Sequence, residues 1–446
     1  MFSLVRFIAA ATFAGCCVLA GEVRSLTILH TNDLHARISV LDNHHGGFAA
    51  LATLVAHEKA NCTDCIMLNA GDLVQGSPVS TMFRGMPIFE IANLLGIDAA
   101  TLGNHDFDYG WRQTRRFIET AKYPVVTANI INSRGELITS APYLIRNVNG
   151  LRVGIIGVMT DDLKNFSTVK LLEDWHTSPV VAAVRKHALE LRDKTDLILV
   201  LGHITETEEN AILRTLPEIP VIISGHVHGG IEKETVYQGR IMVRVKAYGE
   251  ELGRLELKVD TEKKAPVSWK WQHIVVDPAV YKPNAEVARL VKHWEDEVTS
   301  EVDQPLAIAK QPIGKPAIKA MIERAMREKT GADFAYMNLS GVRDVLPQGQ
   351  ILVRNIWNIM PFDNMVVVGK FRGSDLPKVV LGSRKVEPER EYTLAVSDFT
   401  AANQSTPENL RVSGLKFASN GPVLRDVLLE WFREKKIIEE QTALIP

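Results

Sequence analysis

The chain has only four cysteines in 446 residues, and two of them, Cys16 and Cys17, fall in its first twenty positions. A disulfide-stapled scaffold and a thiolate zinc knuckle are thereby excluded. No charge of one sign dominates: the net charge is −2, which gives no basis for nonspecific binding of a nucleic-acid polymer. No internal repeat or low-complexity tract is evident. No apolar run is long enough to span a bilayer comfortably. What remains is a globular composition, 46% hydrophobic and 23% charged, in a chain too long for one ordinary core.

The N-terminus reads as an export signal. Arg6 precedes the apolar stretch FIAAATFAGCCVLA, which ends in Val18-Leu19-Ala20, a small-residue cleavage site. Residues 1–20 are therefore expected to be a signal peptide, with lipidation at Cys16 or an uncleaved anchor as alternatives. The expected location is periplasmic or extracellular. After export, Cys62-Thr-Asp-Cys65 is more simply a small disulfide closing the loop before a strand than a thiol-exchange motif.

Apolar, β-rich runs of strand length recur at Leu26–His30, Ile66–Asn69, Ala99–Leu102, Val125–Ile130, Val153–Met159, Leu197–Leu201 and Val221–Ser224. Helical stretches such as Phe48–Lys59 and Val180–Lys194 lie between several of them. Ile241–Ala247, Arg254–Asp260 and Trp269–Val276 read as consecutive antiparallel strands. The pattern predicts an α/β sandwich over 24–276. A connecting helix is expected within 277–303, with Val287, Leu290, Val291, Trp294 and Val298 on one face. A smaller α/β domain is expected over 304–446.

Five stretches set acids, amides or imidazoles beside turn-prone residues, each just after a run of this kind. LHTNDLHAR holds Asp33 and His35, NAGDLVQGSP holds Asp72, and LGNHDFDYG holds Asn104 and His105; LGHIT holds His203, and SGHVHGG holds His226 and His228. Each motif alone is more often structural. Five in one order within about 200 residues are a near-complete ligand set for two adjacent divalent cations. Carboxylate and imidazole suit Zn²⁺, Mn²⁺, Co²⁺ or Fe²⁺. Asp-x-His and His-x-His spacings would put both side chains on one side of an extended segment.

These motifs resemble the calcineurin-like metallophosphoesterases and, through ILHTNDLHAR, the secreted 5′-nucleotidase family among them. The resemblance implies a two-sheet α/β sandwich followed by a smaller α/β 5′-nucleotidase C-terminal domain. It implies one metal on Asp33, His35, Asp72 and His228 and another on Asp72, Asn104, His203 and His226, bridged by Asp72. His105 matches the family's catalytic histidine, which touches phosphate, and Asp108 matches the acid that orients it. Asp106 is the competing partner by position.

In the C-terminal part, MNLSGVRD keeps Asn338, Gly341 and Arg343 of the family's substrate segment, while MPFDN and SDFTAANQSTP supply Phe362 and Phe399. The resemblance makes these two phenylalanines a sandwich for a nucleobase. Arg343 reads as a phosphate clamp or as a member of an ordinary ion pair, and Arg37 as a further candidate for the same phosphate. Taken alone, either phenylalanine reads more readily as core; the paired motifs bring the two readings level. The chain departs from the family where Gln404, Ser405 and Thr406 replace a Gly-Gly-Asp, so a carboxylate expected on ribose is missing. The expected partner is a small nucleotide or other phosphate ester, with hydrolysis of nucleoside 5′-monophosphates as the first reading. A nucleotide-sugar or cyclic-nucleotide phosphodiesterase, or another phosphomonoesterase, is the alternative on the same centre. The reading of another class is a ligand-binding surface protein on a retired phosphatase scaffold, whose mark would be a lost ligand.

Overall fold

The computed structural model describes residues 22–402 and 421–440. The export signal with Cys16 and Cys17, and Gln404 to Thr406, lie outside the described residues.

Two mixed sheets stack face to face. The first has the order Ala265–Val275, Glu251–Asp260, Val23–Thr31, Cys65–Asn69, Ala99–Ala100. The second runs Thr235–Tyr237, Arg240–Val243, Val221–Gly225, Leu197–His203, Leu151–Met159, Tyr143–Val148. The strands are apolar on both faces because each sheet is covered twice. Leu26 and Ile28 point between the sheets and meet Leu199, Leu201 and Ile223. Leu29 points the other way, onto the helix Phe48–Ala60. Ile198 and Val200 likewise turn outward against the helices Val180–Leu191 and Glu206–Thr215.

The helix Ala285–Val302 begins at Asn284, whose side-chain oxygen accepts the N–H groups of Glu286 and Val287. Its apolar face, including Val287, Leu290, Val291, Trp294 and Val298, packs on the core of the first sandwich. A separate core follows, built from the helices Lys315–Thr330 and Leu424–Lys435 and two three-stranded sheets. Trp357 touches both cores. Cys62 and Cys65 form a disulfide, with their Cα atoms 5.8 Å apart, and the strand begins at Cys65.

Three local expectations are corrected. Val125–Ile130 is not a regular strand. The Val126 N–H bonds to Ala100 of the first sheet and the Ala128 N–H to Gly157 of the second, so the segment crosses between sheets and ladders with neither. The run at Ile241 is not consecutive with the two strands after it: it joins the second sheet, parallel to Val221–Gly225. The Asp-x-His and His-x-His pairs are not extended, because the strands end at Thr31 and Gly225 and Asp33, His35 and His226 have positive φ of 51°, 46° and 76°.

Candidate active site

Parallel strands place their C-terminal ends together, and five of them deliver the candidate ligands to one point. Each chain turns sharply as it leaves its strand. Asp72 also sits at φ 53° and Gln75 at 71°. Such conformations cost of order ~1–3 kcal/mol each and persist because the surroundings fix them. The loops are nested without spare room: a Cβ on Gly103 would lie 2.1 Å from Asp72 Oδ1, and one on Gly71 2.7 Å from the Gly103 nitrogen. Glycine at both positions is what lets the Asp72 and Asn104 loops touch.

The side chains gather in two groups. Around the first, His35 Nε2 lies 2.9 Å from His228 Nε2, and each lies 3.8 Å from Asp33 Oδ1. Around the second, Asn104 Oδ1 lies 3.1 Å from His203 Nε2 and 2.9 Å from His226 Nδ1. Asp72 Oδ2 stands between, 3.1 Å from His203 Nε2 and 3.8 Å from His35 Nε2. Asp33, His35 and His203 are fully buried.

The electrostatics suit a cation. Burial keeps His226 and His228 neutral, pushed down to about 3 and about 2, and burial with the Arg343 guanidinium holds His35 well below its ordinary value. Neutral imidazoles are metal donors. Burial also lifts Asp33 to about 6. His203 behaves otherwise: burial opposes its charge, but the Asp72 carboxylate outweighs burial and raises it to about 9. Burial opposes ionisation of Asp72 too, yet His203, His105 and His35 hold it well below the usual carboxylate range. Donor atoms of Asp33, His35 and His228 lie within 4.8 Å of one another, as do those of Asp33, Asp72 and His203. Two carboxylates at the middle of four imidazoles are a donor set that a divalent cation satisfies and that buried water would not.

His105 stands beside this centre. Its backbone N–H donates to Asp72 Oδ1 at 2.8 Å, and its Nδ1 is 2.8 Å from Asp108 Oδ2. Burial disfavours the imidazolium, but Asp108 overcomes it and the His105 pKa rises. Asp106 faces away. Its carboxylate accepts the N–H groups of Gly103 at 2.8 Å and Leu73 at 3.2 Å, tying the Asn104 loop to the Asp72 loop. Burial lifts Asp106 to about 7.

A cavity of about 590 Å³ opens over these groups. Asp72, Asn104, His105, Asp108, His226 and His228 line one side, and Asn338, Gly341, Arg343, Phe362 and Phe399 line the other. Phe362 and Phe399 are half-buried and belong to no apolar core among the described residues. The Phe362 ring lies 5.9 Å from the His105 ring. Arg343 Nη2 reaches to 3.3 Å from His35 Nε2. Arg37 does not line the cavity; its guanidinium is 2.9 Å from Asp344 Oδ2.

Sequence reasoning passed over several contributors. Asn32 donates to Asp33 Oδ2 at 2.8 Å and to the Val245 carbonyl at 3.0 Å, and its own oxygen accepts the Val245 N–H, so it fixes the Asp33 carboxylate against a distant loop. Its place inside HTNDLH was the available signal. Tyr248, at φ 69°, donates its backbone N–H to the Asp33 carbonyl and sets its ring 5.7 Å from His35 and 5.6 Å from His228. Lys315, half-buried at the start of its helix, also lines the cavity. Neither carries a local sequence signal, since only folding brings them to the centre.

Residues 26–230 match the calcineurin-like phosphoesterase family, and residues 297–420 match the 5′-nucleotidase C-terminal domain. Among curated proteins, the chain is 28% identical to Endonuclease YhcR of Bacillus subtilis, over 84% of this chain and 34% of that protein. It is 25% identical to Protein UshA of Yersinia enterocolitica, over 87% of this chain and 82% of that one. Among solved structures, the 5′-nucleotidase precursor of Thermus thermophilus superposes with a TM-score of 0.84 at 23% identity, covering 93% of this chain and 97% of that one. The chain thus spans about a third of the first relative and most of the other two.

Proposed function

From a chain that belongs to the metal-dependent phosphoric ester hydrolases joining a calcineurin-like phosphoesterase domain to a 5′-nucleotidase C-terminal domain, we propose an exported phosphatase that converts nucleoside 5′-monophosphates to nucleoside and phosphate. In this reading residues 24–276 are the phosphoesterase domain, 277–303 the connecting helix and 304–446 the substrate-binding domain. Asp33, His35, Asp72 and His228 would hold one divalent ion, and Asp72, Asn104, His203 and His226 a second, with Asp72 as the bridge. When bound, the pair supplies Lewis-acid stabilisation of the phosphoryl group and an activated water. The chain's own groups do the rest. His105, kept protonated and aimed by Asp108, offers a proton and positive charge to a phosphoryl or leaving oxygen. Arg343 adds a fixed cation beside the same point. Asn338 and Gly341 shape the wall opposite.

The observation that carries the nucleotide reading is the placement of Phe362 and Phe399 in the cavity that holds His105, outside any core among the described residues. A flat apolar slot at this distance suits a base, with stacking worth ~1–3 kcal/mol. Replacing either phenylalanine with Ala should lower kcat/KM for a nucleotide by roughly 5- to 150-fold. An aryl phosphate that needs no slot should be hydrolysed nearly as before. Equal damage to both, in folded protein, would remove the base-stacking role.

The deciding experiment is a phosphate-release screen of the metal-loaded protein over AMP, UMP, UDP-glucose, a cyclic nucleotide and an aryl phosphate. Preference for AMP or UMP supports the proposal. Preference for UDP-glucose or the cyclic nucleotide would move the assignment to a phosphodiesterase on the same centre. No helix among the described residues is long and apolar enough to cross a membrane. The Cys62–Cys65 disulfide accords with the oxidising compartment that export would provide.

A further inference from the structure

Arg37 and Asp344 come from different cores, 307 positions apart, and meet in an ion pair of 2.9 Å. The pair is partly buried, with side-chain exposures of 10% for Arg37 and 33% for Asp344, so water screens it less than a fully exposed contact. Both ends are held. Arg37 follows the His35 loop, and its guanidinium lies 5.4 Å from the ring centre of Tyr248, the ring that also flanks His35 and His228. Asp344 Oδ1 accepts the Val345 N–H at 2.8 Å, which leaves Oδ2 for Arg37. The residue before Asp344 is Arg343, whose backbone N–H is fixed to the Ile359 carbonyl and whose Nη2 stands 3.3 Å from His35 Nε2.

Arg343 therefore enters the centre from a segment tied to the opposite domain one residue later. Three cations, Arg37, Arg343 and Lys315, gather around the Asp344 carboxylate, which opposes the repulsion that the two arginines exert on Lys315 and pairs directly with Arg37. The geometry points to the Arg37–Asp344 pair as an interdomain latch that positions Arg343 for phosphate. Arg37 and Asp344 are then positioning residues, and neither touches substrate. This rests on the phosphatase reading above.

The test measures inhibition by inorganic phosphate during aryl phosphate hydrolysis, so that it does not depend on which ester is preferred. Failure of the nucleotide screen would leave it intact. Arg37→Ala and Asp344→Ala should each raise the inhibition constant and KM by about tenfold, within the roughly 2- to 150-fold range of couplings between contacting groups. Metal content, Tm and kcat should stay near those of the parent. The exchange Arg37→Asp with Asp344→Arg should recover most of the loss. In an Arg343→Ala background, Asp344→Ala should change phosphate inhibition less than twofold, because the latch would have nothing left to place. If either single variant unfolds, the exchanged pair and the Arg343 background decide. An effect of Asp344→Ala undiminished by loss of Arg343, no recovery by exchange, or loss confined to Arg37 variants would overturn the latch; the last would make Arg37 a direct phosphate ligand.

Discussion

Asp72→Asn is expected to lower both metal occupancy and hydrolysis, the rate by about 10³–10⁴-fold if several kcal/mol of transition-state stabilisation goes with the ions. The reason is position. Asp72 Oδ2 stands between the two imidazole groups, and Oδ1 receives the His105 N–H. Its carboxyl is buried yet held well below the usual range by His203, His105 and His35 against the pull of burial. An amide in its place keeps the volume, loses the full charge and turns an acceptor into a donor beside Asn104 and His203. The affected unit is also the one the loops are packed around, since Gly103 leaves no space next to this side chain. Elemental analysis of Asp72→Asn beside the parent, with rates at saturating metal, checks the expectation. Full occupancy and rate in the variant, or one ion per active parent chain, would end the bridged two-metal assignment.

The second large effect should fall on His105. Removing its ring in His105→Ala should slow hydrolysis by ~10²–10⁴, the range for a positioned acid–base group, while metals stay bound. Its ring packs edge-on against the His35 ring, centroids 5.3 Å apart, but it is not among the clustered donor groups, and its backbone N–H on Asp72 survives the substitution. Loss of metal in His105→Ala would make it a ligand instead. Asp108→Asn should reduce the rate in the same sense and by less, because the amide can still accept the Nδ1 hydrogen but no longer raises the pKa of the imidazole. An equal rate for Asp108→Asn and the parent would sink the pairing. Asp106→Asn is a different experiment: that carboxylate holds the N–H groups of Gly103 and Leu73, so its loss should loosen the loops and the metals before it touches the proton.

The residue types and their order were enough to pick out the candidate ligands that the fold gathers at one point, because a divalent centre demands carboxylate and imidazole donors and each stands just past an apolar strand. The apolar runs at Leu26–His30 and Leu197–Leu201 likewise marked strands, and the structure shows why they are apolar throughout: both faces are covered. Backbone geometry at the site was not legible. A period-two argument assigns Asp33 and His35 to one side of a strand, whereas the chain turns through positive φ at both, since the nested loops and Gly103 dictate the path. The Val125–Ile130 run misled for a related reason: strand-like composition does not say which sheet a segment serves, and this one bridges two.

By itself, then, the sequence marked the candidate metal donors and the strand runs of the frame, because these show in residue types and short apolar runs, and its motifs carried the resemblance that singled out His105. Tertiary structure decided what depends on distance across the chain. It separated Asp106 from Asp108, since adjacency along the backbone does not fix which acid faces an imidazole. It took Phe362 and Phe399 out of the core and set them in the cavity, a distinction composition cannot make for a half-buried ring. It also moved Arg37 from the phosphate to Asp344, because a charge pairs with whatever folding brings within a few ångströms, and residues 307 positions apart carry no local trace of each other.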